Sequence, residues 1–75
     1  MTLRIVSFFS GIGGLDIGLE AALDAETVFQ CEKDPYCRRV LERHWPGVPR
    51  HDDIATLEPE TLEAVRADIW CGGFP

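Results

Sequence analysis

Apolar positions along the chain fall into short continuous runs that alternate with runs at helical spacing. Arg4 to Phe9 (RIVSFF) is a short apolar run stopped by a glycine cluster and reads as a buried strand. Ser10 to Gly14 is a glycine-rich turn. From about Gly13 to Leu23 the pattern turns helical, with Leu15, Leu19, Ala22 and Leu23 recurring three and four residues apart. Thr27 to Glu32 (TVFQCE) is β-branched and aromatic, a second strand. Asp34-Pro35 opens a helix, with Asp at the N-cap and Pro at the first helical position. Its apolar positions are Tyr36, Cys37, Val40, Leu41 and His44 or Trp45, and Pro46-Gly47 ends it. Val48 to Arg50 fits a short third strand, Pro59 to Val65 a third helix, and Asp68 to Gly72 (DIWCG) a fourth strand. Trp45 and Trp70 read as core residues.

Strands alternating with helices predict an α/β fold, a parallel sheet of about four strands with crossover helices. Such sheets bind ligands at the carboxyl ends of their strands. Phe9 to Gly14, Glu32-Lys33, Asp53-Ile54 and Gly72 to Pro75 would then share one rim.

Composition narrows the function classes. Seventy-five residues allow one small domain, which buries only roughly 60% of its unfolded surface. Apolar residues make up 45% and charged residues 27%, a globular rather than disordered balance. Cys31, Cys37 and Cys71 are odd in number and lack CxxC spacing, against a disulfide framework or zinc knuckle. Reduced thiols and a cytoplasmic setting are expected. No apolar run reaches the ~18 residues of a membrane span, and the N-terminus does not read as a signal peptide. The net charge of −6 disfavours this segment as an independent binder of nucleic acid or acidic membrane.

Ser10-Gly11-Ile12-Gly13-Gly14 is either a ligand cradle or only a tight strand-to-helix turn. Glycines let a ligand approach the main chain, and a helix start offers free N–H groups and a positive dipole end. The dinucleotide fingerprint G-x-G-x-x-G is incomplete, because Asp16 stands at its third glycine and Gly18 comes two residues late. Glu32 ends the second strand, where a carboxylate can accept from both ribose hydroxyls. Asp53 reads from position alone as a turn or cap residue, although a carboxylate there could also accept from the exocyclic amine of a base while Ile54 packs on the ring. His44 and His51 lack a Cys or Ser partner at triad spacing and read as surface or packing residues. Cys71 reads as an inert thiol within its strand.

Phe8-Phe9-Ser10-Gly11-Ile12-Gly13-Gly14-Leu15-Asp16-Ile17-Gly18-Leu19-Glu20 resembles the first motif of DNA (cytosine-5)-methyltransferases. Cys31-Glu32-Lys33-Asp34 resembles their second, His51-Asp52-Asp53-Ile54 their third, and Gly72-Gly73-Phe74-Pro75 the start of their fourth. Order and spacing agree over essentially the whole chain. The resemblance implies a partial class I methyltransferase (Rossmann-like) fold that binds S-adenosyl-L-methionine. Phe9 would stack on the adenine, and Gly11, Ile12, Gly13 and Gly14 would line the methionine side. Glu32 would hold the ribose, and Lys33 would flank the adenine where the family often has an apolar or aromatic residue. Asp53 and Ile54 would meet the adenine edge and face, Asp16 would lie near the methionine amino group, and Gly73 and Pro75 would wall the methyl donor.

The resemblance also implies a mechanism for the full-length enzyme on double-stranded DNA. A cytosine is flipped from the duplex, and a Cys thiolate adds to ring carbon 6 so that carbon 5 takes the methyl group. The family pattern is Pro-Cys-Gln, so the nucleophile would follow Pro75 and no catalytic residue is expected within the chain. The chain is expected to be the N-terminal, cofactor-binding part of such an enzyme, without a target-recognition domain, from a restriction–modification or similar system. Alone it is expected to bind cofactor weakly and transfer no methyl group. The rival expectations are a non-catalytic assembly module or half of a split enzyme, completed by a C-terminal fragment, and a nicotinamide-binding Rossmann fragment.

Overall fold

The computed structural model describes residues 2–9 and 11–72. Strand β1 (Leu3–Phe8) is followed by α1 (Gly14–Ala22), β2 (Ala25–Cys31) and α2 (Pro35–His44). The two-residue β3 (Arg50–His51), a single 3₁₀ turn η1 (Ile54–Thr56), α3 (Pro59–Val65) and β4 (Ile69–Gly72) complete the order. All strand pairs are parallel, and the sheet order is β3-β2-β1-β4. The carboxyl ends of the strands therefore share one rim, as the alternating pattern predicts.

Alternation of side chains gives the sheet two different faces. Val6, Phe29 and Cys31 form a buried apolar cluster, packed against Phe8, Leu57, Leu62, Val65 and Ala67 on the η1–α3 side. The opposite face carries Ser7, Gln30 and Thr27 toward α1, all at most 4% exposed. A β-bulge sets this pattern: Ile5 pairs with Thr27 but Val6 with Phe29, which leaves Val28 as the extra residue. The Thr27 amide donates to Glu20 Oε2 of α1 at 2.8 Å.

Local chemistry explains where the helices start and stop. Asp34 caps α2, accepting from the Tyr36 and Cys37 amides at 2.8 and 3.4 Å, with Pro35 in the first turn. Leu41 of α2 is fully buried, worth roughly 2 kcal/mol. Arg4 closes the end of α3, with Nε and Nη2 donating to the Val65 carbonyl at 3.1 and 2.8 Å. Arg66 then leaves the helix in a left-handed conformation.

Two expectations need correction, and one point the pattern left open is settled. The third strand falls at Arg50–His51, where two residues pair with Gln30 and Cys31, not at Val48 to Arg50. Helix α1 forms, but its stripe is not the buried face: Leu15, Ala22 and Leu23 are exposed, and its buried residue is Asp16. Trp70 is not a core residue but 53% exposed, lying flat on Phe8 with centroids 5.7 Å apart. Trp45 is half-buried, with its indole N–H donating to Glu20 Oε2 at 3.0 Å.

Candidate binding site

Two depressions open at the carboxyl rim. A cavity of about 280 Å³ is lined by Phe9, Cys31, Glu32, Lys33, Asp52, Asp53 and Ile54, close to the lower end of small-molecule sites. A shallower depression of about 670 Å³ adjoins it, sharing Phe9, Glu32 and Lys33 and adding Gly11, Asp34, Pro35 and Cys37. Five residues marked in the sequence, Phe9, Glu32, Lys33, Asp53 and Ile54, thus meet around one cavity. They come from the ends of β1, β2 and β3, which are adjacent in the sheet.

The turn after β1 is held in an uncommon shape. Phe9 has φ 51°, and Gly11 and Gly13 have φ 59° and 90°. For Phe9 this is a strained conformation, costing about 1–2 kcal/mol; such strain gathers where a site imposes it. The Gly11 amide donates to Glu32 Oε1 at 2.6 Å, and the Asp34 amide donates to Oε2 at 2.9 Å. Glu32 therefore ties the glycine turn to the start of α2, and its remaining lone pairs are its acceptor capacity toward a ligand.

Gly13 has a reason of its own. A Cβ placed on it would stand 2.5 Å from Trp45 Cζ3 and 3.1 Å from Leu41 Cδ2. The turn thus rests against the Trp45 ring, which Glu20 holds by its N–H. Gly11 and Gly14 have open space at their Cβ positions, and Ile12 is 57% exposed. Gly11 lines the shallower depression, whereas Ile12, Gly13 and Gly14 line neither of the two.

Asp53 is the N-cap of η1, with Oδ1 accepting from the Ala55 amide at 2.9 Å. Its Oδ2 lies 4.0 Å from the exposed Lys33 Nζ, across the cavity mouth, a pairing worth well under 1 kcal/mol at such exposure. Asp52 accepts from the Asp53 amide, and this hydrogen bond, with His51 and Arg38 nearby, holds its carboxyl below the usual range. Cys31 and Asp52 line the cavity without having been marked as site residues. Their signal was position, each standing one residue before a marked carboxylate. Asp16 lies away from the cavity and is fully buried, with its oxygens accepting from Ser7 Oγ at 2.9 Å and Gln30 Nε2 at 3.0 Å. Gly73 and Pro75 lie outside the described residues.

No thiol is set up as a nucleophile among the described residues. Burial pushes the Cys31 thiol up, with Glu32, Asp52 and Asp53 adding to it. Cys37 is raised by partial burial and by Asp34 and Glu32. Cys71 is raised by burial and Asp16, against a lowering contact from Ser7. No group of His, Cys, Asp and Glu among them could hold a metal ion, and no helix is long and apolar enough to cross a membrane.

A parallel sheet with a glycine turn after β1, a carboxylate just past β2 and a cavity at the strand ends is a Rossmann-like α/β arrangement. Comparison with known proteins gives the family. Residues 3–75 match the family described as C-5 cytosine-specific DNA methylase. The chain is 40% identical over 73 residues to the type II methyltransferase M2.BsuMI of Bacillus subtilis, covering 97% of this chain and 18% of that protein. It is 35% identical to the type II methyltransferase M.AquIA of Picosynechococcus, covering all of this chain and 33% of that protein. The crystal structure of the Schizosaccharomyces pombe Dnmt2 methyltransferase superposes with a TM-score of 0.80 at 27% identity, over 93% of this chain and 22% of that one. The chain belongs to the C-5 cytosine-specific DNA methylase family, and it spans a third or less of the length of these relatives.

Proposed function

We propose that this chain is the S-adenosylmethionine-binding part of a DNA (cytosine-5)-methyltransferase. The observation that carries the reading is the rim cavity, which gathers Phe9, Glu32, Lys33, Asp53 and Ile54 from three strand ends. The donor set suits the group. An aromatic ring and an aliphatic side chain offer apolar surface to a purine. Glu32 offers acceptor capacity to ribose hydroxyls, and Asp53 Oδ2 offers an acceptor to an amine. Gly11, Ile12 and Gly14 would follow the methionine part, with Gly13 shaping the turn from behind against Trp45, and Gly73 and Pro75 would complete its wall. When bound, the cofactor supplies an electrophilic methyl group. The chain's own residues bind and orient it.

The three raised thiols support the view that this chain alone performs no methyl transfer. In the full-length enzyme the substrate would be double-stranded DNA and the nucleophile a Cys after Pro75. A second reading is half of a split enzyme, completed by a separate C-terminal fragment. Co-expression with a C-terminal fragment of a relative would restore methylation on that reading; failure with several such fragments would count against it.

Calorimetric titration of the chain with S-adenosylmethionine tests the proposal. A Kd of roughly 0.1–1 mM is expected, weakened at least tenfold by Glu32→Ala. Tighter binding of NAD, or an unchanged Kd in Glu32→Ala, would overturn it.

A further inference from the structure

The loop that carries Asp53 is closed by a side-chain relay whose direction can be worked out. Thr56 Oγ1 lies 3.0 Å from the Asp53 carbonyl and 2.8 Å from His51 Nε2. A carbonyl only accepts, so the single hydroxyl proton of Thr56 goes to Asp53. His51 Nε2 must then be the donor to Thr56, which fixes its neutral tautomer as Nε2–H. The Thr56 amide also donates to the Asp53 carbonyl, at 3.0 Å. The relay thus runs from the end of β3 to the end of η1 and back to the residue on the cavity wall. Within this closed loop the Ala55 amide occupies Asp53 Oδ1, which leaves Oδ2 as the oxygen on the Lys33 side of the cavity.

We infer that His51 and Thr56 are positioning residues that present Asp53 Oδ2 to the edge of the bound purine. They thereby set a preference for a 6-aminopurine over a 6-oxopurine. An amine donates to the carboxylate, whereas a 6-oxo group sets one oxygen against another and moves the edge's donor to N1–H, one ring position away. The inference rests on the cofactor reading above and deepens it. Neither residue lines the cavity: Thr56 acts through Asp53, and His51 acts through Thr56 and also lies 3.9 Å from Asp52 Oδ1 on the cavity wall, so the Thr56 variants are the cleaner arm.

The test is the ratio of Kd values for S-inosylhomocysteine and S-adenosylhomocysteine, measured by calorimetry on the 75-residue chain. The parent chain should favour the adenosyl compound about tenfold or more. Thr56→Val should bring the ratio below about threefold, and Thr56→Ser, which restores the hydroxyl, should recover it. His51→Ala should lower the ratio and His51→Gln, which keeps an N–H donor, should retain part of it. A residue that only steadied the fold would weaken both compounds by the same factor and leave the ratio alone. Circular dichroism checks each variant, and if Thr56→Val does not fold, the His51 pair decides by the same ratio. A full preference in folded Thr56→Val, or in folded His51→Ala where that pair decides, overturns the relay while leaving the cofactor reading intact. Failure of the parent chain to bind either compound overturns the cofactor reading, and this inference with it.

Discussion

The two faces of the sheet are held by different physics. On the η1–α3 side, Val6, Phe29 and Cys31 pack against half-buried Phe8, Leu57, Leu62 and Val65. Those contacts are numerous, weak and replaceable. On the α1 side, Asp16 binds Ser7 and Gln30, Gln30 Oε1 accepts from Arg50 Nε at 2.7 Å, and Arg50 also donates to the Leu41 and Trp45 carbonyls. Here Asp16, Gln30 and Arg50 depend on one another, and loss of one removes a partner from the next. The polar face fixes where α1, α2 and the glycine turn sit. The apolar face supplies area, to which Ile5 adds from the α1 side. A site whose parts come from three strand ends needs the first kind of support more than the second.

The difference can be tested by breaking each face in turn. The largest expected effect is Asp16→Ala, which removes the buried acceptor shared by Ser7 Oγ and Gln30 Nε2 and leaves the Gln30 amide without it. A loss of about 3 kcal/mol is expected in urea unfolding, against about 1 kcal/mol for Val65→Ala on the half-buried apolar side. Equal losses would erase the distinction. Gly13→Ala comes next, at about 2 kcal/mol, because the methyl group meets Trp45 at a positive φ. Trp45→Leu in the same chain should recover part of it, and purely additive losses would show that Trp45 is not the obstacle.

Thr27→Val sharpens the picture from the other direction. Thr27 Oγ1 is buried on the polar face with no hydrogen-bond partner among the described residues. Its removal should be neutral or stabilising by up to about 1 kcal/mol, and a clear loss would mean that the hydroxyl has a task. The smallest effect concerns pH. Cys31, Cys37 and Cys71 are all raised in the folded chain, so the fold holds these protons more tightly than the unfolded chain does. The thiols therefore contribute no pH dependence below about pH 8, near the foot of the ordinary thiol titration. Stability should fall as pH rises above that range, where the unfolded thiols ionise first. Urea midpoints at neutral and alkaline pH check this, and a Cys-free variant should flatten the decline.

Local chemistry made much of the fold readable. Asp34-Pro35 announces α2 because capping needs only residues close in sequence, and the Pro59 to Val65 helix follows from the same kind of signal. The strand-end positions of Glu32 and Asp53 followed from parallel topology. What was not readable depends on partners distant in sequence. The leucines of α1 mark a helix, but periodicity does not say which face is covered, and the buried residue there is Asp16 because Ser7 and Gln30 receive it. Gly13 was read for a ligand, while its tight neighbour is Trp45. The relay from His51 through Thr56 depends on a 3₁₀ turn too short to leave a periodic trace.

The central claim is that the rim cavity at the ends of β1, β2 and β3 receives the adenosyl part of S-adenosylmethionine. Amide shift mapping of the isotope-labelled chain, titrated with S-adenosylhomocysteine, tests it most directly. Saturable shifts are expected at Phe9, Gly11, Glu32, Lys33, Asp53 and Ile54, with Arg38 and Arg39 on the exposed side of α2 unmoved. Shifts confined to Arg38 and Arg39, or none at saturating ligand, would contradict it.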